Sequence, residues 1–178
     1  ASDFTFIFVG NVDVEKMKPV IAEYLGALPA VNRKETFKDN KIEMRQGIYK
    51  NEFTKQQETP KASVFAFYNG DCKYDLRNNL LLSMTSQILD LVYTEKVRED
   101  EGGTYGVYVG GTLQKYPKEK AILQIIFDTA PEKKEKLMKI IFGEIDNITK
   151  TGPSEANLNK VKEYMLKKHT EDLKENSY

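Results

Sequence analysis

Histidine is almost missing from this chain: His169 stands alone among 178 residues. A zinc site needs three or four ligands converging tetrahedrally. One histidine, one cysteine and no His-Glu pair at helical spacing exclude a catalytic metal centre built from this chain. Cysteine is equally scarce, and Cys72 without a partner forms no internal disulfide, so cysteine usage does not separate cytosol from an oxidising compartment. Cys72 reads as a partly buried small hydrophobe at a turn. Charge of one sign is not in excess: Lys+Arg and Asp+Glu each number 27, which removes the general electrostatic reason to expect nucleic acid or an anionic membrane as partner. No apolar run approaches the roughly 20 residues that cross a bilayer, and Ala1-Ser2-Asp3-Phe4 has no basic start of a signal peptide. A chain opening straight into a strand suggests a piece of something longer.

What is present suits one sizeable core, with 40% hydrophobic residues and 30% charged ones. Phe4 to Val9 puts Phe4, Phe6 and Phe8 on one face and Ile7 and Val9 on the other, the pattern of a strand covered on both sides. Asp13 then caps a helix carrying Val14, Met17, Ile21, Tyr24 and Leu28, stopped by Gly26 and Pro29. Ala30 to Asn40 is polar and aperiodic. Lys41 to Phe53 and Ala62 to Tyr68 read as strands, and a long helix from about Asp75 to Arg98 follows, with Leu81, Met84, Ile88 and Val92 on one stripe and Leu80, Leu91 and Val97 widening it. Thr104 to Gly111 and Ala121 to Asp128 read as a hairpin. Pro131 opens a helix lined by Leu137, Ile141, Ile145 and Ile148 up to Gly152, and Ser154 caps a last one with Leu158, Val161 and Met165. This order implies an α+β fold: a largely antiparallel sheet with helices packed on one face.

The most informative segment is Arg98-Glu99-Asp100-Glu101-Gly102-Gly103-Thr104-Tyr105. Its double glycine lets the chain leave the helix through left-handed conformations and sets Tyr105 near the helix end. Arg98 falls in the last helical turn, where the helix dipole favours a cation, so a C-capping arginine beside a sheet tyrosine is one reading. The three acidic residues read as a solvated turn. His169, near the stripe of Leu158, Val161 and Met165, reads as a packed or boundary histidine. Phe65, Phe67, Tyr105 and Tyr108 on sheet strands could form a stacking platform for single-stranded RNA, but without a basic excess sheet core is the favoured reading.

Four elements in order resemble the pitrilysin or insulinase family of zinc metallopeptidases, which carry an inverted His-x-x-Glu-His motif. Phe4 to Asp13 with the helix ending Tyr24-Leu25-Gly26-Ala27-Leu28-Pro29 looks like the close of one domain. Thr59-Pro60-Lys61-Ala62-Ser63-Val64 looks like the opening strand of the next. Val97 to Val107 is similar to the Arg and Tyr motif of the carboxy-terminal half, and Pro131-Glu132 with Gly152-Pro153-Ser154-Glu155 falls where that half has its final helices. The resemblance implies a domain of the LuxS and processing-peptidase metalloenzyme type. It divides the chain into a closing strand and helix (1–29), a linker (30–40) and a noncatalytic carboxy-terminal domain (41–178) folding as one unit with 1–29. It further implies that Arg98 and Tyr105 bind substrate, donating to the peptide near the scissile bond, while neither acts as base or ligand. No cofactor is expected in this chain; zinc is expected in the amino-terminal catalytic half, its partner, and the chain alone is expected to be inactive. An extended peptide is the expected ligand, with no nucleic acid and no membrane insertion. A scaffold of the same family with no proteolytic role is the alternative. Relatives point to the periplasm or export in a bacterium. Phe4 to Val9 is expected to pair with the sheet built by 41 to 128, or to be exchanged between two copies in a swapped dimer.

Overall fold

The computed structural model describes residues 2–32, 34–99 and 104–175, with the backbone alone at 98, 99, 104 and 105. Its elements are α1 (Val14–Tyr24), β1 (Ala62–Asp71), α2 (Leu76–Glu99), β2 (Thr104–Gln114), β3 (Lys120–Thr129), a 3-10 turn (Pro131–Lys133), α3 (Lys134–Thr151) and α4 (Glu155–Asp172). Two compact units contain them: 1–42 with 168–178, and 43–167, the division falling within α4. Local chemistry sets the helix starts. The Asp13 carboxylate accepts from the amides of Glu15 and Lys16 at the start of α1, and Ser154 Oγ accepts from the Asn157 amide at the start of α4.

In the second unit β3 is the central strand, pairing antiparallel with β1 on one side and β2 on the other. Strand alternation gives the sheet two unlike faces. One carries Val64 and Ala66 of β1, Val107 and Val109 of β2, and Leu123, Ile125 and Phe127 of β3, packed with Leu89, Tyr93 and Val97 of α2 and Leu137 and Ile141 of α3. This is an α+β arrangement with helices on one face. Tyr93 is wholly buried and its hydroxyl donates to the Ile141 carbonyl at 3.0 Å, tying α2 to α3 through the core. Gly111 brings α2 against β2: an added Cβ there would lie 2.6 Å from Ser86 Oγ and 2.7 Å from Leu82 Cγ.

The buried stripe of α2 is Ser86, Leu89, Tyr93 and Val97 with Ile88, rather than Leu81, Met84, Ile88 and Val92; Leu80 and Leu81 are exposed. Helix α2 mixes polar and apolar residues around its circumference, so its periodicity marks a helix without choosing the face that turns inward. Two expected strands do not form. Phe4 to Val9 is exposed and lies in none of the ladders, and in its own unit the amides of Val31 and Glu35 bond to Ser2 Oγ and Asp3 Oδ2 rather than to a neighbouring strand. Alternation makes a segment able to be a strand; only a ladder partner makes it one. Lys41 to Phe53 likewise has no ladder and stays exposed. Helix α1 ends at Tyr24, short of Leu28, and carries Pro19 inside it, which leaves the Glu15 carbonyl without its helical donor.

Candidate functional site

Helix α2 delivers Arg98 to its C-terminal turn, and β2 begins at Thr104, so Tyr105 is the second residue of the strand. The side chains of Arg98 and Tyr105, and the double glycine between them, lie outside the described residues. The backbone beside them shows something the sequence did not. Thr104 pairs with Thr129 and Val107 with Phe127, so Tyr105 and Gly106 together oppose the single residue Asp128. This is a β-bulge, and Gly106 at φ +140° takes the conformation that closes it. Bulges redirect a strand and its side chains and occur at the rims of functional sites.

Asp128 is itself organised. Both carboxylate oxygens are engaged, Oδ1 by the Ser63 hydroxyl at 2.6 Å and Oδ2 by Lys61 Nζ at 2.9 Å. The Ser63 bond first, and Lys61 second, hold the Asp128 carboxyl below the usual carboxylate range. Lys61 and Ser63 lie at the start of β1 and Asp128 near the end of β3, joined only by strand register, so no local spacing could have signalled them.

Beyond this cluster, the face of the sheet turned away from the helices runs into aromatic residues. Phe65 of β1 and Tyr108 of β2 both oppose Ile126 of β3, and Phe67 opposes Gln124. Phe65 is 62% exposed, Phe67 49% and Tyr108 55%, so the reading of these three as sheet core is corrected: α2 and α3 pack on the opposite face. The Tyr108 ring lies along the strand over Gly110, where an added Cβ would meet its hydroxyl at 2.5 Å, and Gln124 Nε2 reaches that hydroxyl at 3.5 Å. Few charges interrupt this face; Lys61 pairs with Asp128 at one end and Lys120 with Glu43 at the other.

Among the described residues no three of His, Cys, Asp and Glu gather as metal ligands. His169 is exposed on α4 rather than packed, and Cys72 is half-buried at the end of β1, as a small hydrophobe at a turn would be. Zinc therefore does not fit the described residues, and no step of a reaction is assigned to it on this chain. No described helix is long and apolar enough to cross a membrane.

Comparison with known proteins adds an independent line. The family described as the peptidase M16 inactive domain matches residues 1–165. A zinc protease PQQL-like protein of Arabidopsis thaliana is 22% identical over 190 residues, covering 99% of this chain and 20% of that protein. Among solved structures, the periplasmic protease PqqL from Escherichia coli superposes with a TM-score of 0.75 at 20% identity, covering 94% of this chain and 18% of that one. A mutant of the ferredoxin protease FusC in complex with Arabidopsis ferredoxin gives a TM-score of 0.57 at 14% identity, covering 66% and 13%. The chain thus spans about a fifth of the length of the relatives it matches.

Proposed function

Because the chain belongs to the M16, or pitrilysin, family of peptidases through its noncatalytic domain, we propose that it is the part of a zinc metalloendopeptidase that receives an extended peptide. In this reading the catalytic half, which holds the zinc, is its partner, and closure of one upon the other brings the Arg98 and Tyr105 donors to the scissile region. The observation that carries the reading is the bulge at Tyr105 and Gly106, which interrupts β2 beside the end of α2 and opposite Asp128. A strand serving only as scaffold has no need of a break at that point. Donors fixed on a helix end and a strand, away from the metal, can act on a carbonyl oxygen from the side opposite the zinc. Peptides rather than nucleic acids fit the balanced charge of the chain.

The test uses the full-length protein. Arg98→Ala and Tyr105→Phe should each lower turnover by about a hundredfold to a thousandfold while leaving the unfolding midpoint within a degree or two (roughly) of the unaltered protein. Normal turnover with a depressed midpoint would instead assign the pair to helix capping and leave the chain a scaffold.

A further inference from the structure

Residues 43–52 touch both sides of the sheet. Glu43 pairs with Lys118 and Lys120, and Lys120 stands on the face turned away from the helices; Glu52 pairs with Lys134, the first residue of α3 on the helical side. The two glutamates are an odd number of positions apart, which is the parity of a strand whose successive side chains alternate. The direction is fixed as well. Lys120 lies at the end of the sheet where β1 finishes, opposite Asp71, and Lys134 follows the end where β1 begins, so the segment runs antiparallel to β1. Yet between its anchored ends it makes no ladder, and Ile48 and Tyr49 are exposed. Gly47, in its middle, sits at φ +77° with nothing within 4 Å of where a Cβ would stand. On the neighbouring strand, the Oδ1 atom of Asn69 is buried and has no hydrogen-bond partner among the described residues.

We propose that residues 43–52 form a strap that closes onto the outer edge of β1 as a fourth antiparallel strand, with Gly47 as its joint. The register that keeps both anchors places Glu43 opposite Asp71 and Glu52 opposite Ala62. In that register Arg45 comes opposite Asn69, and its guanidinium supplies the donor that the buried Oδ1 lacks. Tyr49, whose ring already lies 4.1 Å below the Arg45 guanidinium, comes opposite Phe65 and extends the aromatic face. Ile48 turns to the helical side. Closure converts β1 from an edge strand with an unpaired backbone row into an interior one, and opening returns that edge to any extended chain able to pair with it.

Disulfide trapping in the 178-residue chain tests the register. In a Cys72→Ser background, Tyr49→Cys with Phe65→Cys places two cysteines directly opposite one another in the proposed strand pair, within the Cα separation a disulfide accepts, whereas Tyr49→Cys with Phe67→Cys is a diagonal pair outside it. Tyr49, Phe65 and Phe67 are exposed and Cys72 is half-buried outside the core cluster, so core packing is left intact. The 49–65 pair should oxidise at least about tenfold faster than the 49–67 pair. Gly47→Ala, which disfavours the left-handed joint without steric conflict, should raise the rate of the 49–65 cross-link by roughly fivefold to thirtyfold. Equal rates for the two pairs, or a Gly47→Ala chain that cross-links no faster, would overturn the proposal.

Discussion

Gly110 and Gly111 are consecutive residues of β2, and the same substitution at each should have opposite effects. Gly111 points toward α2. An alanine there would bring its Cβ to 2.6 Å from Ser86 Oγ and to 2.7 and 3.1 Å from Leu82 Cγ and Cδ1. Ser86 is buried and its hydroxyl is committed to the Leu82 carbonyl at 2.9 Å, so neither neighbour can swing away and the helix itself must shift. Overpacking of this kind costs about 1–3 kcal/mol. Replacing a strand glycine returns about 0.5–1 kcal/mol of backbone entropy, leaving a net loss of about 0–2.5 kcal/mol, centred near about 1.25 kcal/mol. For a chain of this size the central value is a fall of roughly 2–5 °C in the thermal midpoint followed by circular dichroism. At Gly110 the only close atoms, from 2.5 Å, belong to the end of the Tyr108 ring, an exposed side chain free to rotate aside. Gly110→Ala should therefore leave the midpoint unchanged or raise it by about 1–4 °C. A Gly110→Ala chain destabilised as much as Gly111→Ala, or a Gly111→Ala chain melting at the original midpoint, would refute the account of how α2 seats on the sheet.

Tyr93→Phe removes the hydroxyl that bonds to Ile141 and should cost about 0.5–1.5 kcal/mol. Burial first, then the neighbouring Tyr68 and Glu144, raises the Tyr93 pKa above its usual value of about 10, so its contribution is fully present below pH 10 and is lost as pH rises toward the folded value. Urea midpoints between pH 8 and 11 (about the ordinary tyrosine range) should fall less steeply for Tyr93→Phe than for the unaltered chain; identical slopes would count against this. Ser63→Ala should move the Asp128 titration up toward the ordinary value near about 3.9, read from its carboxyl carbon by NMR. Because that pKa is depressed in the folded chain, the stability it contributes is present above about pH 3.9 and disappears as pH falls through the folded value. An unmoved titration would mean that the Ser63 hydroxyl donates elsewhere.

The elements whose signals are local were legible in the sequence. Asp13 and Ser154 start their helices where expected, the β2–β3 hairpin forms, and α2 and β1 begin within a residue of their expected positions. What depends on partners was not. Phe4 to Val9 and Lys41 to Phe53 have the alternation of strands and lack the neighbour that completes one. The inward face of α2 is chosen by where Gly111 admits it, which no helical period records. Arg98 and Tyr105 are proposed for the site on resemblance, whereas Lys61, Ser63 and Asp128 come together only through the pairing of β1 with β3, and the bulge is a mismatch of register that a single strand cannot announce.

The strand order β1-β3-β2 also sets a timetable for synthesis. Strand β1 is denied β3 until the last strand has been made, with the whole of α2 and β2 between them. During that interval β2 and β3 need only a short turn to find one another, while β1 must wait for a closure spanning about half a hundred residues or more, which costs more chain entropy. The hairpin is accordingly the economical nucleus, and β1 the late arrival. Changes within β1 should then speed its departure more than they delay its arrival, making the rate of unfolding the quantity on which selection at that edge can act.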